Sequence, residues 1–203
     1  LMNAAKEGAR RADGVVHPRI GLVETLVALR DHPHWKAPLE GPNRGRGVAV
    51  GYWVNGSGPS ACTISVNADG TINLTEGSAD IGGTRASVSM QAAEVLGIRA
   101  EDVRPTVTDT DNIGYTSGTG GSSVTFKTGR TAHDAAQNVK EQMIARAATI
   151  WEISPDTVEL DKGVFHSRTD PELKMTFSEL AEQLNDTGGP IMGRSAFSPT
   201  GVG

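Results

Sequence analysis

The longest regular pattern in this sequence is a stripe of apolar residues between positions 129 and 151. Its members follow one another at intervals of 4, 3, 4, 4 and 3 residues: Ala132, Ala136, Val139, Met143, Ala147 and Ile150. These intervals match the turn of an α-helix with one apolar face. Such a helix is stable only when that face covers another layer, so the stripe predicts a layered fold built around a long helix.

Strand patterns precede this helix. Segments 47–54, 61–66 and 71–76 are rich in β-branched and other apolar residues, and they predict three strands. The segment between the last two strands has the composition of a hairpin turn, since Gly70 can adopt a positive φ.

Helices and strands then alternate along the chain. The predicted elements are a helix over 85–96, a strand over 103–107, the long helix, a hairpin over 157–167 and a last helix that ends near Leu184. Gly97 is expected to close the first of these helices in a left-handed conformation. Thr176 and Glu179 have the spacing of a capping box for the last one. The order predicts an α+β fold, a two-layer sandwich of mostly antiparallel sheet with packed helices.

The two ends of the chain carry weaker patterns. Segment 20–30 predicts a short amphipathic helix, and segment 1–8 is typical of the end of a helix that begins upstream. No element is predicted in the Gly- and Pro-rich tail from 188 to 203. We therefore expect a helical or irregular lead-in over 1–44, from a missing upstream region, and an α+β domain over 45–203 that is truncated at its C-terminus.

Charge and cysteine content exclude several classes of protein. The chain has 19 Lys and Arg against 24 Asp and Glu, a net charge of -5, which is not typical of a nucleic-acid-binding protein. No apolar run is long enough to predict a transmembrane helix. Cys62 is the single cysteine, so the chain itself cannot form a disulfide or a cysteine-based zinc or iron–sulfur site. With no signal-peptide pattern, these features predict a cytoplasmic location.

Glycine is over-represented, with 25 residues, and many of them fall in two loops that precede helices. The first loop covers residues 77–84 and the second loop covers residues 114–123. Glycine lets a backbone approach a ligand closely, and helix N-termini attract anions, so either loop could cradle a phosphate. The alternative is that the glycines only make tight turns.

Standard motifs do not account for these loops. Segment 56–61 matches G-x-G-x-x-A, but a strand follows it instead of a helix, which excludes a dinucleotide fingerprint. Lys127 lacks the preceding glycine of a P-loop. No H-E-x-x-H or G-x-S-x-G occurs, and His32 and His34 lack a matching third ligand. We therefore predict no metal-ligating residue.

Four segments form a pattern that extends beyond the loops. They are 80–84 (DIGGT), 91–98 (QAAEVLGI), 109–111 (DTD) and 118–125 (GTGGSSVT). Together they resemble the molybdopterin-binding large subunit of the xanthine dehydrogenase/aldehyde oxidase family of molybdenum hydroxylases. Their order and spacing match that family over essentially the whole chain.

The resemblance implies a cofactor, partners and site residues. The domain over 45–203 would bind the molybdenum–pterin cofactor, which bacteria often use as a cytosine dinucleotide. By the resemblance, the first loop approaches the pterin or metal end of the cofactor through Gly82, Gly83 and Thr84. The second loop approaches the pterin and phosphate portions through Thr119, Gly120, Gly121 and Ser122. The resemblance also implies the rest of the large subunit, partner subunits or domains with iron–sulfur clusters and FAD, and a small-molecule substrate hydroxylated with oxygen from water.

Three departures from the family pattern shape the final prediction. Gly83 stands where the family has Gln, and Ser123 stands where Arg is common. Segment 201–203 resembles part of the family's Gly-Val-Gly-Glu site, but no Glu follows, so we predict no catalytic residue here. We expect one piece of a molybdenum hydroxylase large subunit, inactive alone. The alternatives are a non-catalytic assembly domain of the same fold that has lost cofactor binding, and an unrelated phosphate-binding α+β module.

Overall fold

A computed structural model describes residues 1–51, 53 and 56–199 of the chain. The chain forms two compact units, Leu1–Tyr52 and Trp53–Gly203. The end of the strand predicted over 47–54 and the motif at 201–203 lie outside the described residues.

The first unit is mostly irregular chain with two helices, α1 (Leu22–Asp31) and α2 (Pro33–Lys36). The position of α1 confirms the helix predicted over 20–30. It begins after Gly21, whose left-handed φ of 57° lies outside the range of a right-handed helix, so the helix cannot extend further toward the N-terminus.

Two predictions for this unit are wrong. Residues 1–8 form turns and not the end of a helix, and the Gly8 N–H donates at 3.0 Å to the His17 carbonyl and not to a preceding helical turn. Residues 47–51 form no strand. No other described segment pairs with their backbone, and a strand without a partner is not stable.

The second unit alternates strands and helices. Its elements in chain order are β1 (Ser60–Val66), β2 (Ile72–Glu76), α3 (Thr84–Leu96), β3 (Val103–Val107), α4 (Val124–Trp151), β4 (Val158–Asp161), β5 (Val164–Ser167), β6 (Lys174–Thr176), α5 (Phe177–Glu182) and β7 (Met192–Phe197). They build a four-stranded sheet in the order β3-β2-β1-β7 and a three-stranded sheet in the order β4-β5-β6. The α+β class is confirmed.

Most strand pairs are antiparallel, as predicted. β1 and β2 form the expected hairpin, and Gly70 in its turn has a φ of 82°. β3 is parallel to β2 because α3 crosses over the sheet between them. This crossover places the first loop at the end of β2 and the second loop after β3, so each loop connects a strand of the same sheet to a helix.

The apolar stripe of α4 lies in the core, which confirms the prediction from its spacing. Ala132, Ala136, Val139 and Met143 are fully buried, and α4 packs against β1 and β7. The helix begins at Val124, five residues before its predicted start at 129. The prediction began too late because polar side chains in the first turn are buried, and an apolar pattern does not include them.

The C-terminal part agrees with the local signals except at its end. The hairpin at 157–167 is confirmed, and so is the capping box, in which the Glu179 N–H donates to Thr176 Oγ1 at 3.2 Å. The prediction that the tail has no element is wrong, since β7 pairs with β1. Only Gly193 of β7 is buried among its six residues, so the strand has no apolar alternation to reveal it.

Among the described residues, no helix has both the length and the hydrophobicity that crossing a bilayer requires.

Candidate functional site

The first loop connects β2 to α3 through two consecutive left-handed residues. Gly82 has a φ of 61° and Gly83 a φ of 79°, and Thr84 begins the helix. L side chains rarely adopt this conformation, so both glycines have a steric reason. A Cβ atom at either position would meet nothing within 4 Å, so the space beside this turn is open.

The start of α3 already has an anionic partner. The Asp80 carboxylate accepts hydrogen bonds from the Arg85 N–H at 3.2 Å and from Thr84 Oγ1 at 3.3 Å. A carboxylate at a helix N-terminus satisfies free N–H groups and interacts favourably with the helix dipole. This carboxylate also lies 4.0 Å from Arg85 Nε. It already uses a free N–H group of this helix end, so fewer donors remain here for a second anion.

The second loop leads into α4 with the same backbone geometry. Gly121 has a φ of 59° and Ser122 a φ of 58°. For the non-glycine Ser122 this conformation costs about 1–2 kcal/mol. The four predicted site residues of this loop, Thr119 to Ser122, are all exposed, and a Cβ atom at Gly120 would meet nothing within 4 Å.

The start of α4 differs from that of α3 because no described side chain caps it. Ser123 occupies the N-cap position without a side-chain hydrogen bond, and the first turn has no acidic residue. Among the described residues, no side chain accepts from the N–H groups of this turn, and the dipole of a 28-residue helix favours an anion there. The structure thus distinguishes the two loops by the groups at their helix ends, which their glycine content alone did not.

Lys127 lies beneath the second loop and is fully buried. Its ammonium group donates to the Ser117 carbonyl at 2.6 Å, to Ser117 Oγ at 2.7 Å and to the Gly118 carbonyl at 2.9 Å. Burial lowers the pKa of this ammonium group because water no longer stabilises the charge. The sequence interpretation missed this role and considered Lys127 only as a P-loop lysine. Nothing in the sequence marks Lys127 as buried, and the same holds for Thr131 four residues later, which is also buried.

Segment 56–60 forms hydrogen bonds and close contacts with the second loop. The Gly56 N–H donates to the Gly121 carbonyl at 2.6 Å, and the Ser117 N–H donates to the Pro59 carbonyl at 2.8 Å. A Cβ atom at Gly58 would lie 3.0 Å from the Cβ of Ser117. The glycines of this segment therefore serve close packing, which gives a physical reason for the G-x-G-x-x-A match.

The structure joins the roots of the two loops and keeps their predicted site residues apart. A Cβ atom at Gly77 would lie 3.0 Å from Thr116 Oγ1, and Gln91 Nε2 donates to the Thr125 carbonyl at 3.2 Å. No hydrogen bond among the described residues links Gly82–Thr84 to Thr119–Ser122. Gln91 lies seven residues after Thr84, so about 10 Å of helix separates the first set from this contact. A ligand that used both sets would have to be extended.

The described residues contain no group of three His, Cys, Asp or Glu residues that could hold a metal ion. Burial, together with the nearby Glu76 carboxylate, raises the pKa of the Cys62 thiol to about 12, so this thiol is neither a nucleophile nor a ligand at neutral pH. The open space at Gly82, Gly83 and Gly120, the exposed hydroxyls of Thr119 and Ser122 and the start of α4, which no described side chain caps, fit a large phosphorylated ligand.

Comparison with known families agrees with this geometry. Residues 27–202 match the model of the molybdopterin cofactor-binding domain family.

Individual relatives are much longer than this chain. The putative xanthine dehydrogenase molybdenum-binding subunit of Escherichia coli K12 is 32% identical over 222 residues, which cover 98% of this chain and 29% of that protein. The nicotine 6-hydroxylase large subunit of Paenarthrobacter nicotinovorans is 25% identical over 172 residues, 74% of this chain and 21% of that protein. The chain thus spans less than a third of the length of these relatives.

Solved structures share the fold. CO dehydrogenase from Oligotropha carboxidovorans superposes with a TM-score of 0.65 at 24% identity, over 70% of this chain and 18% of that one. Quinoline 2-oxidoreductase from Pseudomonas putida 86 gives a TM-score of 0.59 at 20% identity, over 70% of this chain and 19% of that one.

Proposed function

Because this chain belongs to the molybdopterin cofactor-binding domain family, we propose that it forms part of the large subunit of a molybdenum hydroxylase and holds the molybdenum–pterin cofactor there. The observation that supports this most is the pair of glycine loops, each of which opens a helix and contains glycines whose Cβ positions no described atom approaches within 4 Å: Gly82 and Gly83 in the first loop and Gly120 in the second. We assign the cofactor domain to 45–203 and the lead-in to 1–44.

The two loops take different parts of the cofactor. The carboxylate of Asp80 already occupies the start of α3, so Gly82, Gly83 and Thr84 face the pterin or metal end. The uncapped start of α4 takes the phosphate portion, next to the exposed backbone and hydroxyls of Thr119–Ser122. This assignment follows from the charge at each helix end.

The chain binds and orients the cofactor. When bound, the cofactor supplies the metal centre at which an electron-poor carbon of a heterocycle, aldehyde or related substrate is hydroxylated with oxygen from water. The general base and the rest of the substrate pocket come from the remainder of the large subunit. Electrons leave to partner subunits that carry iron–sulfur clusters and flavin. The enzyme is cytoplasmic, and its cofactor is the cytosine dinucleotide form.

A second candidate is a non-catalytic assembly domain of the same fold. Gly83 favours it, because glycine cannot donate the side-chain amide hydrogen bond that Gln provides at this position in the family. In that case the loops would be intact but the cofactor would be absent from the purified enzyme.

The test is a Gly120→Val variant of the complete large subunit, produced with its partner subunits in a host that makes the cofactor. Gly120 has open space around its Cβ position, so the fold tolerates the side chain. The valine side chain would occupy space that the cofactor uses when bound. Overpacking of this kind would weaken cofactor binding by about 1–3 kcal/mol, so the molybdenum and pterin content should fall about tenfold or more.

The matched control is Gly45→Val, at a glycine of ordinary φ whose Cβ position is also open and which belongs to neither of the two loops. It should retain the wild-type molybdenum and pterin content. Equal contents in both variants, with unchanged circular dichroism, would remove the second loop from the cofactor site.

A further inference from the structure

The ammonium group of Lys127 donates all its hydrogen bonds to two adjacent residues, Ser117 and Gly118. An ammonium group has three protons to donate, and the three acceptors are the Ser117 carbonyl, the Ser117 hydroxyl and the Gly118 carbonyl. The side chain is fully buried, so these contacts replace water entirely. Both acceptor residues belong to the second loop.

Packing alone does not require a charge at this position. Moving an ammonium group out of water is costly, and an apolar side chain of similar length would avoid that cost. Within the described part of the chain, no carboxylate pairs with the Lys127 ammonium group. Its partners are neutral, and hydrogen bonds from a charged donor to such groups are stronger than those between neutral groups.

These bonds fix one end of the exposed tetrad Thr119–Ser122. Gly118 immediately precedes the tetrad, and Lys127 holds its carbonyl. The other end is held by the Gly56 N–H bond to the Gly121 carbonyl and by the start of α4 at Val124. The tetrad itself forms no side-chain hydrogen bonds to other described residues, so its shape depends on its two anchored ends.

We propose that Lys127 is a positioning residue that clamps the second loop from below, so that Thr119–Ser122 are held ready for the anionic part of a ligand. The reference to a ligand rests on the proposed function, whereas the clamp itself does not. The charge also lies beneath an uncapped helix start, where it adds to the field that favours an anion.

The test compares Lys127→Met with Val139→Ala in the complete protein, prepared without the cofactor. Methionine is unbranched, one heavy atom shorter than lysine, and has no donors, while Val139 is fully buried in the same helix and distant in sequence from the loop. Hydrogen exchange is followed at two amides that are bonded at the loop: Ser117 N–H, to Pro59, and Ser123 N–H, to Gly120.

Lys127→Met should speed exchange at both amides about tenfold, which corresponds to a local loss of about 1.4 kcal/mol. Val139→Ala should lower global stability without changing these two amides selectively. Ser117→Ala, which removes a single acceptor on the loop, should give a smaller acceleration, and it keeps the test valid if Lys127→Met does not fold. Exchange that stays at the wild-type rate in Lys127→Met, or in Ser117→Ala if the first variant does not fold, would overturn the proposal.

Cofactor-loaded enzyme separates the clamp from the function. The Lys127→Met enzyme should release the cofactor about tenfold faster than Val139→Ala enzyme of similar global stability. If wild-type enzyme holds no cofactor but Lys127→Met still frees the loop, the clamp stands and the proposed function fails. If the enzyme is loaded and the loop exchange is unchanged, the clamp fails and the function stands.

Discussion

A Gly97→Ala variant is expected to lose about 3 kcal/mol of unfolding free energy. This loss combines the cost of placing a non-glycine residue in a left-handed backbone conformation with the cost of overpacking. Gly97 ends α3 with a φ of 66°. A Cβ atom there would overlap Gly163 N and lie 2.7 Å from the carbonyl carbon of Lys162. These atoms belong to the backbone of the β4–β5 turn, so they cannot rotate away as a side chain could. The expected loss is a large fraction of the stability of a domain this size.

The matched control for Gly97 is Gly189→Ala. Gly189 also has a positive φ, 88°, but a Cβ atom there would meet nothing within 4 Å. It should lose only about 1 kcal/mol, the cost of the left-handed conformation. Urea unfolding monitored by circular dichroism measures both variants. Similar losses in the two would show that the contact between α3 and the β4–β5 turn is not as close as the structure has it.

The second large effect is expected at Gly193, where β7 crosses α4. A Cβ atom at Gly193 would overlap the Ala135 carbonyl oxygen and lie 2.6 Å from Cγ2 of Val139. Because the φ of Gly193 is ordinary, the whole cost comes from pushing the strand away from the helix. Gly193→Ala should therefore destabilise the protein by about 2–3 kcal/mol.

Gly47→Ala is the control for this variant, since Gly47 has an ordinary φ and open surroundings. It should change the free energy of unfolding by less than about 1 kcal/mol, mainly through the entropy of the unfolded chain. If Gly193→Ala proved as harmless as Gly47→Ala, β7 would not pack on α4 as closely as the structure has it.

Features that depend on neighbouring residues could be predicted from the sequence. The stripe of α4, the Gly97 cap and the Thr176–Glu179 capping box each express a rule that acts within a few residues. The two glycine loops were also found at the starts of helices, because glycine clusters and helical periodicity are both local signals.

Features that depend on distant partners could not be predicted. β7 exists because β1 offers an edge for pairing more than 120 residues earlier in the chain, and its own residues show no apolar alternation. Residues 47–51 are the opposite case: their composition is typical of a strand, but no described segment pairs with them, so they form none. Lys127 escaped notice because a buried charge is explained only by the carbonyls that surround it.

The most direct test of the central claim is the molybdenum and pterin nucleotide content of the wild-type enzyme. The complete large subunit should be purified with its partner subunits from a host that loads a known molybdenum hydroxylase fully. The loops predict that molybdenum and pterin nucleotide co-purify in amounts equal to the large subunit. Contents far below that ratio, beside a fully loaded reference enzyme, would contradict cofactor binding by this domain and favour the assembly role.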